Sequence, residues 1–157
     1  MRDIVYIRLD DRLVHGQIVA VWLNDMKCDV LCVIDDKAAT NSLQQMLLRM
    51  AVPKSTNFEL LTVEEGAKYL LEEIDEKIFL IVGEIETITR LVDLGVPIKE
   101  VNLGNLGNRS DRKQYTKAIW LSDTEKQEIE KLVARDIEVN VHLVPNEKKF
   151  SALEALK

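Results

Sequence analysis

Cysteine, proline and glycine are all scarce in this chain: two, three and six among 157 residues. The two cysteines, Cys28 and Cys32, flank a strand-like pair, Val30-Leu31. With no histidine nearby they cannot fill a four-ligand zinc site, and they read as reduced, core or near-core residues of a cytoplasmic protein. Basic residues are outnumbered, 21 against 27 acidic, for a formal charge of −6, which argues against nucleic acid as the main partner. No run approaches the ~18 apolar residues of a membrane span. Met1-Arg2-Asp3 leads straight into a strand pattern, with no basic-then-apolar leader. Internal repeats, low-complexity stretches and linkers are absent as well. What is present is ordinary for a soluble α/β protein: 46% hydrophobic and 31% charged residues, in a length suited to one domain, 1–157, with a buried core.

The hydrophobic pattern alternates between two periods. Ile4–Ile7, Asp29–Ile34, Phe58–Leu61, Ile78–Val82, Val101–Leu103 and Lys117–Leu121 read as strands, the second and fourth continuously apolar and so buried on both faces. Helical patterns lie between most of them. The second carries Leu43, Met46, Leu47 and Met50 on one stripe and stops before Pro53. Thr62–Glu65 and Ser122–Glu125 have capping-box spacing. Gly95 with Pro97 just beyond is a helix stop. Ile137–Leu143 alternates apolar and polar, as a half-exposed strand near the sheet edge does, with His142 on the polar phase and expected to be exposed. A short tail helix is expected to use Phe150, Leu153 and Leu156. About seven strands with helices between them predict an α/β fold, an open, mostly parallel twisted sheet with helices on both faces.

In such sheets ligands sit off the carboxyl ends of the strands, near a topological switch point. That edge should carry the Asp10–Gln17 loop, Asp35-Asp36, Gly83-Glu84 and the polar Gly104–Lys113 loop with Arg109, Arg112 and Lys113. His15, one of two histidines, is placed at the start of the first helix, followed by Gly16 and Gln17. No Ser, Thr, Asp or Asn stands at 13 to 16 to cap that helix, so its first amides are free for an anion, phosphate best of all. The helix dipole disfavours imidazolium and keeps a ring nitrogen available as a nucleophile. Arg12 suits a bidentate phosphoryl contact, and Asp10 or Asp11 suits the second imidazole N–H, fixing the tautomer. The bland alternatives are a solvated histidine, a local Arg12–Asp ion pair and aspartates at 35 and 36 that simply cap a helix. Trp22 and Trp120 read as core or interface aromatics.

The string IRLDDRLVHGQIVAVW resembles the opening signature of the IIB components of the mannose/fructose/sorbose family, which belong to the bacterial phosphoenolpyruvate-dependent sugar phosphotransferase system. VIDDKAATNSLQQMLLRMAVP resembles the family's second strand and helix, and LVDLGVPIKEVNLGNLG its later glycine-bearing segment. The Trp120–Asp136 helix and the strand after it also fit. The resemblance implies that His15 accepts a phosphoryl group at Nδ1 from a phosphohistidine on a IIA protein. It implies transfer from there to a hexose during uptake through a membrane IIC/IID permease, with no cofactor and no metal. It further implies a cytoplasmic chain peripherally associated with that permease, homodimerisation, and no IIA domain fused to this IIB unit. The rival class is a signalling receiver domain, because Asp10-Asp11 resembles a magnesium-holding acidic pair. A receiver also needs an aspartate after its third strand, and Phe58–Thr62 ends without one. A nucleotide-binding module is disfavoured by the lack of G-x-G-x-x-G and G-x-x-x-x-G-K-[ST] motifs.

Overall fold

The computed structural model describes residues 1–156, apart from the side chains of Gln17 and Ile18. The chain opens with β1 (Asp3–Asp10), α1 (Gly16–Asp25) and β2 (Val30–Ile34). Two helices follow, α2 (Asp36–Ala39) and α3 (Ser42–Ala51), then β3 (Asn57–Leu61), α4 (Val63–Leu71), β4 (Lys77–Val82) and α5 (Ile85–Asp93). The second half runs β5 (Glu100–Asn105), β6 (Lys113–Gln114), β7 (Trp120–Leu121), α6 (Asp123–Ala134), β8 (Glu138–Val141), β9 (Phe150–Ser151) and α7 (Ala152–Ala155). The main sheet has seven strands in the order β3-β2-β4-β1-β5-β8-β9, all parallel except β9, which pairs antiparallel with β8.

The continuously apolar strands are central, as their composition demands. Leu31, Val33, Phe79 and Ile81 point to one face, where Val19 and Trp22 of α1 and Leu48 of α3 cover them. Cys32, Ile34, Leu80 and Val82 point to the other, under Ala67 and Leu70 of α4, Ile88 and Leu91 of α5, and Ile129 and Leu132 of α6. Chain direction and helix face go together. Crossovers that step toward β3 put α1, α2 and α3 on the first face; those that step toward β8 put α4, α5 and α6 on the second. That pairing is what right-handed crossover connections require. The divergence falls between β1 and its neighbour β4: β1 leads into α1 on one face and β4 into α5 on the other. A crevice therefore opens at their carboxyl ends.

Local signals are realised as written. Thr62 and Glu65, and Ser122 and Glu125, form reciprocal capping boxes. Gly95, at φ +96°, ends α5 with Val96 N–H on the Leu91 carbonyl and Gly95 N–H on that of Val92, a Schellman pattern.

Three expectations are corrected. The strand expected over Lys117–Leu121 is reduced to Trp120–Leu121, which pairs with Lys113–Gln114 in a separate two-stranded ribbon. The seventh strand of the main sheet is instead Phe150–Ser151, because the edge of β8 offers backbone partners that a tail helix would leave unused; only one turn, Ala152–Ala155, remains helical. His142, expected to be exposed, is 6% exposed: its ring meets the Tyr6 hydroxyl at 2.7 Å and the Glu147 carbonyl at 2.9 Å. Asn140 is buried too, its amide donating to Glu100 at 3.1 Å. The stripe of Leu43, Met46, Leu47 and Met50 faces solvent, while Leu48 turns inward. Trp22 is a core residue and Trp120 is half-buried. Cys28 is partly buried and Cys32 fully; both thiols are free.

Candidate functional site

The loop between β1 and α1 is built on two carboxylates. Asp10 closes β1 and is 1% exposed. Its Oδ1 accepts the backbone N–H of Arg12 at 3.0 Å and the Arg12 Nε–H at 3.4 Å, and its Oδ2 accepts from Arg8 Nη2 at 3.2 Å. Asp11 turns the other way: Oδ1 accepts from the Asn105 amide at 3.1 Å, and Oδ2 from the Gly107 N–H at 2.8 Å and Arg112 Nη1 at 3.2 Å. Leu13 completes the turn at φ +60°, with its N–H on the Asp10 carbonyl at 2.9 Å and its side chain buried. A leucine in the left-handed region costs on the order of 1 kcal/mol or more, so the surrounding contacts must hold it there.

Beyond this turn His15 is the N-cap of α1, in extended conformation (φ −123°, ψ 116°), exposed, and making no side-chain cap hydrogen bond. The first helical amides consequently have no side-chain acceptor from the cap residue. Gly16 is the first helical residue, with open space around its Cα. Gln17 follows in the helix; its side chain lies outside the described residues. Arg12 is exposed, its stem steered by Asp10. Neither Asp10 nor Asp11 is bonded to the His15 ring; both are committed to loop structure.

Beneath the loop lies a buried network that the sequence did not signal. Arg8 is 2% exposed and donates to Asp10 and to the carbonyls of His142 (3.4 Å) and Leu143 (3.2 Å). Its guanidinium also lies 5.4 Å from the Trp22 ring centroid. Burial pulls the Arg8 guanidinium below its ordinary value, against the support of Asp10. On the other flank Arg112 is buried; Nε and Nη2 grip Glu125, each at 2.8 Å, while Nη1 reaches Asp11 and the Gly107 carbonyl. Burial pushes the Glu125 carboxyl up, but Arg112 and the Ser122 N–H outweigh it and hold it below the ordinary glutamate range. Of the three cations in the Gly104–Lys113 loop, Arg112 is therefore structural, Arg109 is exposed and Lys113 sits in β6.

The crevice at the switch point has a volume of about 190 Å³. Asp11 and Leu13 line it from the first loop, Asp35 and Lys37 from the end of β2, Gly83 and Glu84 from the end of β4, and Arg109 and Gln44 from the sides. Three of the four segments placed on this edge by sequence thus meet the fourth in space. Asp35 caps α2 by accepting the Ala38 N–H at 3.4 Å. Burial pushes its carboxyl above the ordinary range, with Glu84 adding to the shift and the Ala38 N–H opposing it. Asp36 instead accepts from the Val63 N–H and Arg90, at 2.9 and 2.6 Å. A larger cavity, about 570 Å³, lies at the amino ends of β1 and β5, the opposite edge from His15. Among the described residues no helix is long and apolar enough to cross a membrane.

Comparison with known proteins agrees with this geometry. Residues 4–157 match the family described as the sorbose subfamily IIB component of the PTS system. A probable phosphotransferase enzyme IIB component of Streptococcus pyogenes is 31% identical, over 93% of this chain and 94% of its own. The N-acetylgalactosamine-specific phosphotransferase enzyme IIB component 1 of Escherichia coli is 29% identical, over 94% of each chain. A crystal structure of that N-acetylgalactosamine-specific component superposes with a TM-score of 0.89 at 28% identity, covering 95% of this chain and 99% of the other. The IIB domain of the Klebsiella pneumoniae sorbose permease shares the fold at a TM-score of 0.92 and 24% identity, over 98% of this chain and 95% of its own. The receiver-domain alternative finds no support. The chain belongs to the sorbose-subfamily IIB components of the phosphotransferase system, transferases that act with IIA and IIC/IID partners to phosphorylate sugar during uptake.

Proposed function

We propose that the whole chain is one IIB domain in which His15 is the phosphoryl way-station. The observation that carries this reading is the exposed histidine at the start of α1, whose side chain does not cap the helix, on the carboxyl edge of the sheet, with Arg12 held by Asp10 in the same loop. In the first transfer a lone pair on Nδ1 of His15 attacks the phosphorus. The P–N bond to the imidazole of phospho-IIA breaks as the new P–N bond forms. In the second, a hexose hydroxyl attacks, its proton is released, and His15 leaves as neutral imidazole. Both are in-line exchanges through loose transition states, for which positioning and charge balance supply most of the catalysis. The first-turn amides of α1 receive phosphoryl oxygens, and Arg12, exposed in the same loop, supplies the cation. Asp10 positions Arg12. Gly16 adds no side-chain bulk at the helix start, and Gln17, whose side chain lies outside the described residues, remains a phosphate-binding candidate. The domain works from the cytoplasmic side, associated peripherally with its permease.

The test is direct. With labelled phosphoenolpyruvate, enzyme I, HPr and IIA, the wild-type protein gains an acid-labile, base-stable label that moves to hexose when permease membranes are added. His15→Ala gains none. Undiminished labelling of that variant refutes the assignment.

A further inference from the structure

One apolar surface is left over by both the core and the phosphoryl site. Helix α3 turns Leu43, Met46, Leu47 and Met50 outward at 60%, 54%, 54% and 75% exposure. Spaced i, i+3, i+4, i+7, these form one continuous stripe of a few hundred Å², as large as the most extensive apolar patch on a typical monomer. Nothing in the helix itself requires it: Asn41 caps the helix through the Gln44 N–H, and Leu48 supplies the buried anchor.

We propose that this stripe is the docking surface for the phosphorylated IIA donor, an inference that rests on His15 being the phosphoryl acceptor. Position gives the first reason. The amino end of α3 abuts the switch-point crevice, where Gln44 faces Asp11, Leu13 and Lys37. A donor must bring its phosphorus within about 3–3.5 Å of the acceptor nitrogen, so its footprint necessarily covers that edge. Ten helical residues extend only about 15 Å, well inside the ~800 Å² each partner contributes to an ordinary interface. Charge gives the second. Arg49 and Lys54 border the groove of about 480 Å³ that runs beside Met46 and Met50, and Lys37 stands at the crevice end, in a chain of formal charge −6. A cationic rim around an apolar centre suits a donor that arrives carrying a phosphoryl dianion. It does not suit the cytoplasmic face of a permease, where Lys and Arg are in excess. Area gives the third: the stripe alone is too small for a stable second copy of the chain, yet ample as the apolar centre of a complex that must dissociate after each transfer. Methionine side chains adapt to a partner without a fixed fit, which serves such an encounter.

The test uses two donors. Phospho-IIA from the protein's own permease delivers the group through a docked complex; phosphoramidate delivers it as a small molecule. In Leu47→Gln/Met50→Gln, polar residues that keep helix propensity, the KM for phospho-IIA rises about tenfold or more with kcat retained. Labelling by phosphoramidate stays at the wild-type rate. Unchanged transfer from phospho-IIA in the double variant overturns the proposal. So does a wild type labelled by phosphoramidate but not by phospho-IIA. Loss of self-association in sedimentation, or of binding to vesicles with 30% anionic lipid, with IIA transfer unaffected, overturns it in favour of a second copy or a membrane. A wild type that takes label at His15 from neither donor instead removes the underlying reading of His15.

Discussion

The densest point in the support of the loop is the crossing of Arg8 over Gly104, and Gly104→Ala probes it. A Cβ built on Gly104 lies 2.2 Å from both Cζ and Nη1 of Arg8 and 2.8 Å from Nε, where ordinary contact is about 3.5–4.0 Å. The guanidinium would have to withdraw by more than about 1 Å. It is not free to do so, because Asp10 and the carbonyls of His142 and Leu143 hold its nitrogens and Trp22 lies against it. Overpacking of this kind costs about 1–3 kcal/mol. Weakening one bond between the buried charges adds about 1.5 kcal/mol. The entropic gain of alanine over glycine returns at most about 1 kcal/mol. The net expectation is a loss of about 2–4 kcal/mol, a large share of a typical domain's stability. In urea this appears as a midpoint lowered by roughly 1–2 M at unchanged m value. Phosphorylation of His15 should slow in the same variant, since Asp10 and through it Arg12 lose their anchor. A variant within about 0.5 kcal/mol of wild type would show that Arg8 does not press on this glycine. The cycle with Arg8→Met sharpens the test: methionine relieves the clash, so the two losses should fall short of additivity by at least about 1 kcal/mol. Additive losses refute the explanation.

Three further outcomes follow from the same contacts. Arg12→Ala should slow transfer into and out of His15 about tenfold or more while leaving the urea midpoint nearly in place, because alanine keeps the backbone N–H that Asp10 accepts at 3.0 Å and Arg8 still pairs with the buried carboxylate; wild-type rates in both directions would remove its phosphate role. Glu125 is held below the ordinary glutamate range, so its pairing with Arg112 stabilises the fold fully above about pH 4.3 and is lost as pH falls through the lowered folded value. The stability gap between wild type and Glu125→Gln, followed by chemical denaturation, should therefore be widest near neutrality and close in acid; a gap independent of pH contradicts the pairing. Burial pushes the Cys32 thiol well up, and its side chain has no exposure, so a thiol reagent at pH 7 should modify it only at the rate of unfolding, which mass spectrometry of timed samples resolves.

What was legible in the sequence was whatever is decided locally or by burial on both faces. The runs Val30–Ile34 and Lys77–Val82 announce central parallel strands because a strand covered on each side has no polar phase. The capping boxes at Thr62 and Ser122 are readable because donor and acceptor lie three residues apart. His142 was misplaced for the opposite reason. Its alternation with Glu138 and Asn140 reports one strand, whereas its burial comes from Tyr6, 136 residues away, and from the Glu147 loop that folds back over it. Arg8 was hidden likewise: it stands inside the signature string, but its partner carbonyls at 142 and 143 lie across the sheet. The α3 stripe exposes the limit of periodicity, which reports that four side chains share a face and not whether that face meets the sheet or a visitor.

A phosphoryl carrier that serves two partners faces conflicting demands. Its histidine must project far enough to enter the active surfaces of a donor and an acceptor, yet its imidazole must be held closely enough for in-line attack. Burying the histidine would satisfy the second demand and defeat the first. Here the fixation lies below and to the side: Asp10 and Arg8 anchor the loop to β1 and the β8 end, while Asp11 and Arg112 tie it to the β5 loop and α6. Leu13 is held in its left-handed turn between the two clamps. The His15 side chain makes no cap hydrogen bond, so no capping interaction of the ring has to be broken before it can be phosphorylated. Arg8, Asp10 and Arg112, three of the four buried charged side chains among the described residues, thus brace the loop that carries the histidine, and substitutions there should slow transfer by loosening the loop while leaving every phosphoryl contact chemically intact.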